Sequence, residues 1–296
     1  MKQIVRTFRT PLNGAAIALA GALLATPALA GVEITLQDRD VARSVSLGGS
    51  CNRCELSGRN LTGATFTGAT FLHATLVGAD LRGAEMVGGN FTGSDFSRAN
   101  MDGVEIVGAN FTSAVFMNAR LNGAEAQGAS FVRADLTRAD FSGAELHGVN
   151  FNTAVLAGAD FSDSELFGAT LANVRASGAS FREAEITASN LSNGDFSRAS
   201  FREASLDGAR LTGGRFDGAD FTEASLRRTD IRGADLSGAR GLTQDQVSEA
   251  CGDGSTRLPG RLSVRNCGGT RIVRIPAPPS PPAPPRIRNL VIAAER

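Results

Sequence analysis

The chain has 296 residues, with 30 acidic and 30 basic side chains and a formal net charge of zero. This balance gives no simple signal for binding a polyanion. Trp and Tyr are both absent, which weakens any interpretation that needs aromatic platforms for single-stranded nucleic acid.

Residues 1–30 have the pattern of a secretory signal peptide. A basic start is followed by an apolar run over about 14–24, and Ala28-Leu29-Ala30 is a small-x-small cleavage motif. A membrane-spanning or buried helix is the alternative, but the apolar run is too short to cross a bilayer. We expect a mature chain that starts near Gly31, is periplasmic or secreted, and has no membrane span.

Residues 31–53 precede a long repeat. Within them, residues 32–36 alternate between apolar and polar side chains like a strand. A solenoid end exposes backbone edges and apolar core, which an end cap covers. We interpret residues 31–53 as an N-terminal cap.

Residues 54–240 repeat in fives, giving about 37 units without a gap between Cys54 and Gly238. The first place of each unit is nearly always Ala, as at Ala64, and the third is nearly always Leu or Phe, as at Phe66. The first and third places are two residues apart, which is the spacing of side chains on one face of a strand. The fourth and fifth places must then turn the chain, and Gly at many fifth places suits a bend.

A second period of twenty residues shows how many units form one turn of the coil. One phenylalanine ladder contains Phe71, Phe91, Phe111, Phe131 and Phe151, and another contains Phe141, Phe161, Phe181, Phe201 and Phe221. Twenty residues are four units, which predicts a coil with four walls. The two ladders fall two units apart, on opposite walls, and both should point inward.

This double period resembles the pentapeptide-repeat family over residues 54–238, and the resemblance is specific because one phase holds throughout. It implies an all-β solenoid, a right-handed quadrilateral parallel β-helix of about nine coils. The family's inward-facing alanine and leucine or phenylalanine positions correspond to the first and third places here. Stacking of Phe111 between Phe91 and Phe131 is the direct structural expectation.

The period stops after Gly241, and residues 241–270 are interpreted as a C-terminal cap. Thr243 and Gln246 form a capping-box pattern, which predicts a short capping helix over about 244–250. Residues 271–296 are interpreted as a disordered, mildly basic tail that contains a polyproline tract. A spacer or a docking peptide is the alternative reading of this tail.

Four cysteines in an exported protein suggest disulfides. About nine coils at about 4.8 Å each separate the ends of the solenoid by more than about 40 Å, far beyond disulfide reach. Within one chain, Cys251 must therefore pair with Cys267, and Cys51 can pair only with Cys54.

A redox or zinc role for Cys51 and Cys54 is disfavoured, because no βαβ pattern and no nearby histidine accompany them. The alternative to a Cys51–Cys54 disulfide is a pair of thiols packed at the end of the core.

The repeat contains no catalytic constellation. His73 and His147 are outward-facing residues of different walls, several coils apart, and no glycine-rich loop joins a strand to a helix. We expect no enzymatic activity, no cofactor and no metal.

The outward surface is more informative, because one wall carries a ladder of second-place glutamates. Its members are Glu85, Glu105, Glu125, Glu145, Glu165 and Glu185. Val87, Val107 and Phe167 hold the fourth places beside the ladder, and residues 54–240 carry 23 acids against 16 arginines. The ladder is either a record of repeat duplication or a docking surface for a protein partner that is basic where it meets the glutamates.

Two classes of function follow. The first is a non-enzymatic periplasmic or secreted scaffold that binds proteins, with no nucleic-acid partner. The second rests on the family resemblance, since some pentapeptide-repeat proteins mimic DNA through an acidic surface and bind topoisomerase. The signal peptide disfavours this second class, because topoisomerases stay in the cytoplasm.

Overall fold

The computed structural model describes residues 49–266. The predicted signal peptide, most of the N-terminal cap, Cys267 and the tail 271–296 lie outside the described residues.

Each five-residue unit consists of one bridging residue followed by a tight turn. In the unit 64–68, Thr65 forms a parallel β-bridge to Glu85, and Thr67 and Gly68 form the turn. The N–H of Ala69 donates to the Phe66 carbonyl at 2.9 Å. Gly68 has φ +67°, which is typical of the third residue of a type II turn. The fourth and fifth places therefore turn the chain, as the sequence predicts.

The units are joined by parallel bridges between residues twenty apart, running from Ser50–Thr70 to Asp220–Arg240. Within the described residues these are isolated bridges at the second places. At one step of the ladder, the N–H of Met86 donates to the Glu105 carbonyl at 2.7 Å, and the N–H of Glu105 donates to the Ala84 carbonyl at 2.9 Å. One turn of the coil therefore takes four units, as predicted. The pairing already includes Ser50, before the Cys54 at which the sequence frame begins.

The first and third places fill the interior with stacked rings. Phe111 is fully buried and stacks on Phe91 and Phe131 with centroid distances of 5.2 and 5.1 Å, which confirms the predicted ladder. The second ladder, which includes Phe141, repeats this stacking on the opposite wall at 5.0–5.2 Å. Phe131 and Phe141 meet edge to face at 5.7 Å. The two ladders therefore touch across the core.

Buried serines occupy some first places without leaving polar atoms unpaired. The Ser94 hydroxyl donates to the Phe71 carbonyl and accepts from the N–H of Ala74 at 3.0 Å. The Ser164 hydroxyl donates to the Phe161 carbonyl at 2.7 Å. Because each buried hydroxyl is satisfied by backbone, serine replaces alanine without the cost of an orphaned polar group.

After the last repeat unit the described chain forms one short helix, α1 (Gln244–Glu249), and parallel bridging then resumes between Asp230 and Cys251. The Thr243 hydroxyl accepts from the N–H of Gln246, and the Gln246 side chain accepts from the N–H of Thr243, so the predicted capping box is present. The Gln246 Nε2 atom also donates to the carbonyls of Phe221 and Ala224 at 2.9 and 2.8 Å. These bonds tie the start of α1 to the final coil.

Between residues 49 and 266, no helix has the length and apolar character needed to cross a membrane.

Candidate protein-binding wall

The structure places the six predicted glutamates in one line with their side chains exposed. Successive members of the line are bridged, from Glu85–Glu105 to Glu165–Glu185. Neighbouring bridged strands lie about 4.8 Å apart, so the carboxylates are carried on a rigid ladder at that spacing. We call this line, together with the fourth-place side chains beside it from Val87 to Phe167, the acidic wall.

The apolar part of the acidic wall is less continuous than the sequence predicts. Phe167 is 49% exposed, whereas Val87 and Val107 are half-buried. Gln127 and His147 stand between these valines and Phe167, and the rings of His147 and Phe167 meet edge to face at 6.5 Å. Phe167 is therefore an isolated apolar contact point and not the end of a strip.

Gln127 and His147 also engage the glutamates, which sequence reasoning missed. The Gln127 side-chain amide donates to Oε2 of Glu145, and Nε2 of His147 lies 2.8 Å from Oε2 of Glu165. In both pairs the residues are 18 apart, which joins a fourth place to the second place of the next coil. This offset follows from the double period, so it could have been used to find both contacts.

The side chains of the remaining glutamates make weaker hydrogen bonds or none. Glu85 accepts only a long contact from the Thr65 hydroxyl at 3.5 Å. Within the part of the chain that the structure describes, the side chains of Glu105, Glu125 and Glu185 make no hydrogen bond or ion pair. These three carboxylates remain free to accept bonds from a partner.

A second acidic column follows the corner next to the wall. Its members are the exposed fifth-place residues Asp163, Glu183, Glu203 and Glu223, all with positive φ. Arg182 lies 2.9 Å from Glu183 and 3.9 Å from Glu203. The column is therefore partly neutralised, whereas the wall beside it has no arginine within its glutamate line.

The row of acidic residues does not continue to the carboxyl end of the same face. Ser205 and Ser225 continue the line of second places, and Asp207 is paired with Arg227. Partial burial would raise the pKa of Asp207, but hydrogen bonds from Arg227 and Ser225 hold it below its usual value. The acidic wall therefore ends at Glu185.

The cysteines lie at the ends of the described coil. Cys51 and Cys54 form a disulfide with Cα atoms 5.5 Å apart, as the sequence reasoning allowed. Cys251 is also disulfide-bonded, and its predicted partner Cys267 lies outside the described residues. No group of three or more His, Cys, Asp or Glu between residues 49 and 266 is arranged to hold a metal ion.

The comparisons with known proteins agree with this geometry. The family model for pentapeptide repeats matches eight times, from residue 50 to residue 240. The crystal structure of HetL, a pentapeptide-repeat protein involved in heterocyst differentiation regulation in Nostoc sp. strain PCC 7120, is 26% identical with a TM-score of 0.57. The match covers 68% of this chain and 87% of HetL.

Two further solved structures are more distant. QnrB1, a plasmid-mediated fluoroquinolone resistance protein, is 23% identical with a TM-score of 0.42 over 70% of this chain and 92% of its own. A pentapeptide-repeat protein of the Arabidopsis thaliana thylakoid lumen is 34% identical over 38% of this chain and 70% of its own, with a TM-score of 0.23. No curated protein matches the chain. The family model and HetL indicate a right-handed β-helix solenoid.

Proposed function

Because the chain belongs to the pentapeptide-repeat family, whose members are generally structural or interaction proteins, we propose that it is a non-enzymatic scaffold that binds proteins. The proposed location is the periplasm or the cell exterior, since residues 1–30 have the pattern of a cleavable signal.

The proposed scaffold is a four-sided rod of about nine coils. At one end the Cys51–Cys54 disulfide closes a turn, and at the other α1 packs on the last coil through Gln246. Both features suit ends that must resist fraying, because a solenoid end exposes unpaired backbone. We assign them, with the predicted segments around them, to the two caps.

The observation that carries the proposed function is the acidic wall. The glutamates are carried on bridged backbone and keep their spacing without a partner. Binding therefore requires little further loss of backbone conformational entropy. Three of the carboxylates accept no hydrogen bond within the described residues, and Phe167 beside them exposes 49% of its surface. A fixed row of charges next to one exposed ring suits a partner with basic side chains around an apolar one.

The second candidate, a DNA mimic that binds topoisomerase, draws on the same acidic surface. It needs a cytoplasmic protein, whereas the proposed scaffold needs export. Cell fractionation with mass analysis of the native protein separates the two. Loss of residues 1–30 and a periplasmic location support the scaffold, and an intact Met1 in the cytoplasm supports the mimic.

The test of the wall is a comparison of two triple variants in capture from an envelope extract. The first, Glu145→Gln/Glu165→Gln/Glu185→Gln, removes three charges from the wall and keeps side-chain shape. The matched control removes three charges from the opposite wall by Asp95→Asn/Asp135→Asn/Asp195→Asn. There each Oδ1 accepts from a backbone N–H two residues on, and asparagine keeps that acceptor.

The proposal expects a protein that the natural chain and the control capture equally and that the wall variant captures poorly. Equal capture by all three proteins would leave the glutamate ladder as a record of repeat duplication. Circular dichroism should show the same fold in all three, because every substituted side chain is an outward second-place residue.

A further inference from the structure

We propose that copies of this chain stack side by side and in parallel, so that the acidic wall of one copy is covered by the opposite wall of the next. The opposite wall is the one that carries Asp95, Asp135 and Asp195 at its second places. The inference rests on the proposed function of the acidic wall as a docking surface, and it names a second copy of the chain as an occupant.

The first observation is a row of exposed arginines along one edge of the opposite wall. They hold fifth places, and the other fifth places of this edge, from residue 58 to residue 218, are Gly or Asn. The side chains of Arg98 and Arg138 make no hydrogen bond or ion pair among residues 49–266, and Arg198 donates to the Ser177 hydroxyl at 3.3 Å. Exposed guanidinium groups without a carboxylate partner suit an acidic surface. We call Arg98, Arg138 and Arg198 the arginine corner.

The path of the coil places the arginine corner and the acidic residues on the same side of the rod. In each turn the chain crosses the opposite wall, passes the arginine corner, crosses the wall that carries Asp140, passes the second acidic column and enters the acidic wall. The arginine corner and the acidic column are therefore the two edges of one side wall. A copy that is moved straight across, without rotation, sets its arginine corner over the acidic column and the adjoining glutamates.

An antiparallel copy would lose this match. Its arginine corner would lie over the other edge of the acidic wall, where the fifth places from residue 68 to residue 208 are all glycine except Ala188. Charge complementarity therefore favours parallel copies.

The two surfaces also match in level along the rod, because both belong to the same coil. A turn of twenty residues rises about 4.8 Å, so a residue seven positions later lies about 1.7 Å further along the axis. Glu105 follows Arg98 by seven residues. Glu145 follows Arg138 by the same interval. Without any shift along the axis, each of these arginines meets a glutamate of the neighbouring copy.

The arginine side chains already lean toward that level. A Cβ atom at Gly158 would lie 3.6 Å from Cγ of Arg138, and one at Gly218 would lie 3.4 Å from Cγ of Arg198. Each stem therefore leans toward the following coil, which is the direction in which its acid lies. For Arg198 that acid is Glu203 of the acidic column, five residues later.

Apolar side chains meet in the same arrangement. The chain crosses the two walls in opposite directions, so the second places of one copy lie over the fourth places of the other. Phe167, which is 49% exposed, follows the half-buried Val155 by twelve residues, or about 3 Å along the axis. Val107 precedes the half-buried Val115 by eight, or about 2 Å. The acids of the opposite wall likewise lie over fourth places and not over the glutamate line.

The size of the contact suits a weak, salt-sensitive association. Bridges along the opposite wall run from Glu55 to Asp235, a height of about 43 Å, and a unit of five residues spans at most about 17 Å. Each copy thus offers up to about 700 Å² of flat area, close to the roughly 800 Å² per partner of a standard interface. Because the two surfaces differ, the contact is heterologous and builds an open row of copies.

Two charge-swapped variants of the full mature chain test this arrangement. Arg98→Glu/Arg138→Glu makes the arginine corner acidic, and Glu105→Arg/Glu145→Arg makes the matching part of the acidic wall basic. The fold already holds glutamate at fifth places and arginine at second places elsewhere in the coil, so both variants should fold. Circular dichroism checks this.

The matched control is Arg53→Glu/Arg133→Glu. It reverses two exposed fifth-place arginines at the other edge of the opposite wall, both with positive φ. The change in net charge equals that of the first variant. In the stack this edge lies over the glycine edge of the neighbouring copy, so the control should associate like the natural chain.

Sedimentation velocity with interference optics, which need no Trp or Tyr, measures association over a concentration series at low salt. We expect the natural chain and the control to form species larger than a dimer, which dissociate at high salt. Each swapped variant alone should associate on the order of tenfold more weakly, or less. An equal mixture of the two should regain association, because each acidic surface again meets a basic one.

A natural chain that stays monomeric overturns the proposal, and so does a series that ends at a dimer, since a closed dimer needs a different contact. Folded swapped variants whose mixture stays monomeric, or that associate alone as well as the natural chain, overturn it too. The capture test of the proposed function uses envelope proteins. A monomeric chain that still captures a partner through its glutamates would therefore leave the proposed function standing.

Discussion

The Nε2 atom of His147 lies 2.8 Å from Oε2 of Glu165, a residue 18 positions later. The same offset joins Gln127 to Glu145 and Arg120 to Asp102. In this fold a second-place side chain therefore has two neighbours below it. One is the second place twenty residues earlier, and the other is the fourth place eighteen residues earlier.

The His147–Glu165 contact should contribute little to stability, because both side chains are about half exposed, at 43% and 52%. We expect His147→Ala to change the free energy of unfolding by less than about 1 kcal/mol. Denaturant titration at neutral pH measures this change. A decrease in the free energy of unfolding above about 2 kcal/mol would mean that the contact stabilises the fold. The primary role of these wall residues would then be stability and not partner binding.

Phe131 should be among the core residues whose truncation lowers the free energy of unfolding most. It is fully buried between Phe111 and Phe151, at centroid distances of 5.1 and 5.3 Å. We expect Phe131→Ala to destabilise by about 3–5 kcal/mol through lost burial and a cavity. The control Asn150→Ala removes an exposed side chain whose Oδ1 accepts from the N–H of Asn152, and should cost about 1 kcal/mol. Equal losses in denaturant titration would contradict the inward and outward assignment.

Gly241 is required where the coil passes into the C-terminal segment. Its φ is +72°, and a Cβ atom there would lie 2.6 Å from the backbone nitrogen of Thr222. Gly108 also has positive φ, at +64°, but a Cβ there meets nothing within 4 Å. We expect Gly108→Ala to cost about 1–2 kcal/mol from backbone strain and Gly241→Ala to cost a further 1–3 kcal/mol, roughly, from the clash. Thermal unfolding of both variants measures the difference, and equal midpoints would refute the steric argument.

The stability of the C-terminal segment should depend on acid pH through Asp253. Its carboxylate accepts from the hydroxyl and N–H of Ser255, from the N–H of Gly233 and from Thr256, which lowers its pKa to about 2. An unfolded aspartate has a pKa of about 3.9. Because the folded pKa is lower, the stabilisation is fully present above about pH 4 and is lost as the pH falls toward about 2.

Asp253→Asn isolates this effect, since asparagine keeps one acceptor oxygen and does not titrate. We expect the variant to unfold at lower denaturant concentration than the natural chain at pH 7. The two unfolding midpoints should converge as the pH falls from about 4 to about 2. Parallel profiles through this range would exclude Asp253 as the titrating group.

The sequence predicts the path of the repeat well because each unit repeats the same local chemistry. Ala64 and Phe66 already indicate which places face inward, and the twenty-residue spacing of Phe91, Phe111 and Phe131 indicates which rings stack. The sequence also leaves Cys54 as the only partner that Cys51 could have within the chain, but it does not decide between a disulfide and two thiols, and the structure has the disulfide.

The side-chain contacts of the wall were harder to predict. The sequence places Val87, Val107 and Phe167 in one strip, but Gln127 and His147 interrupt it and bond to glutamates of the next coil. These contacts depend on how far each side chain reaches across a step of about 4.8 Å. The repeat frame fixes which side chains are neighbours at the 18-residue offset, but not the rotamers that decide whether they bond.

If the acidic wall is the docking surface, the association rate with a partner must depend on salt through its glutamates. The association rate of a captured and purified partner is measured against ionic strength for the natural chain, for the wall triple variant and for the opposite-wall control. We expect the wall variant to associate about tenfold more slowly at low salt, with a flatter salt dependence, and the control to match the natural chain. Identical rates and identical salt slopes for the two triple variants would mean that the acidic wall is not the docking surface, because only overall charge would then matter.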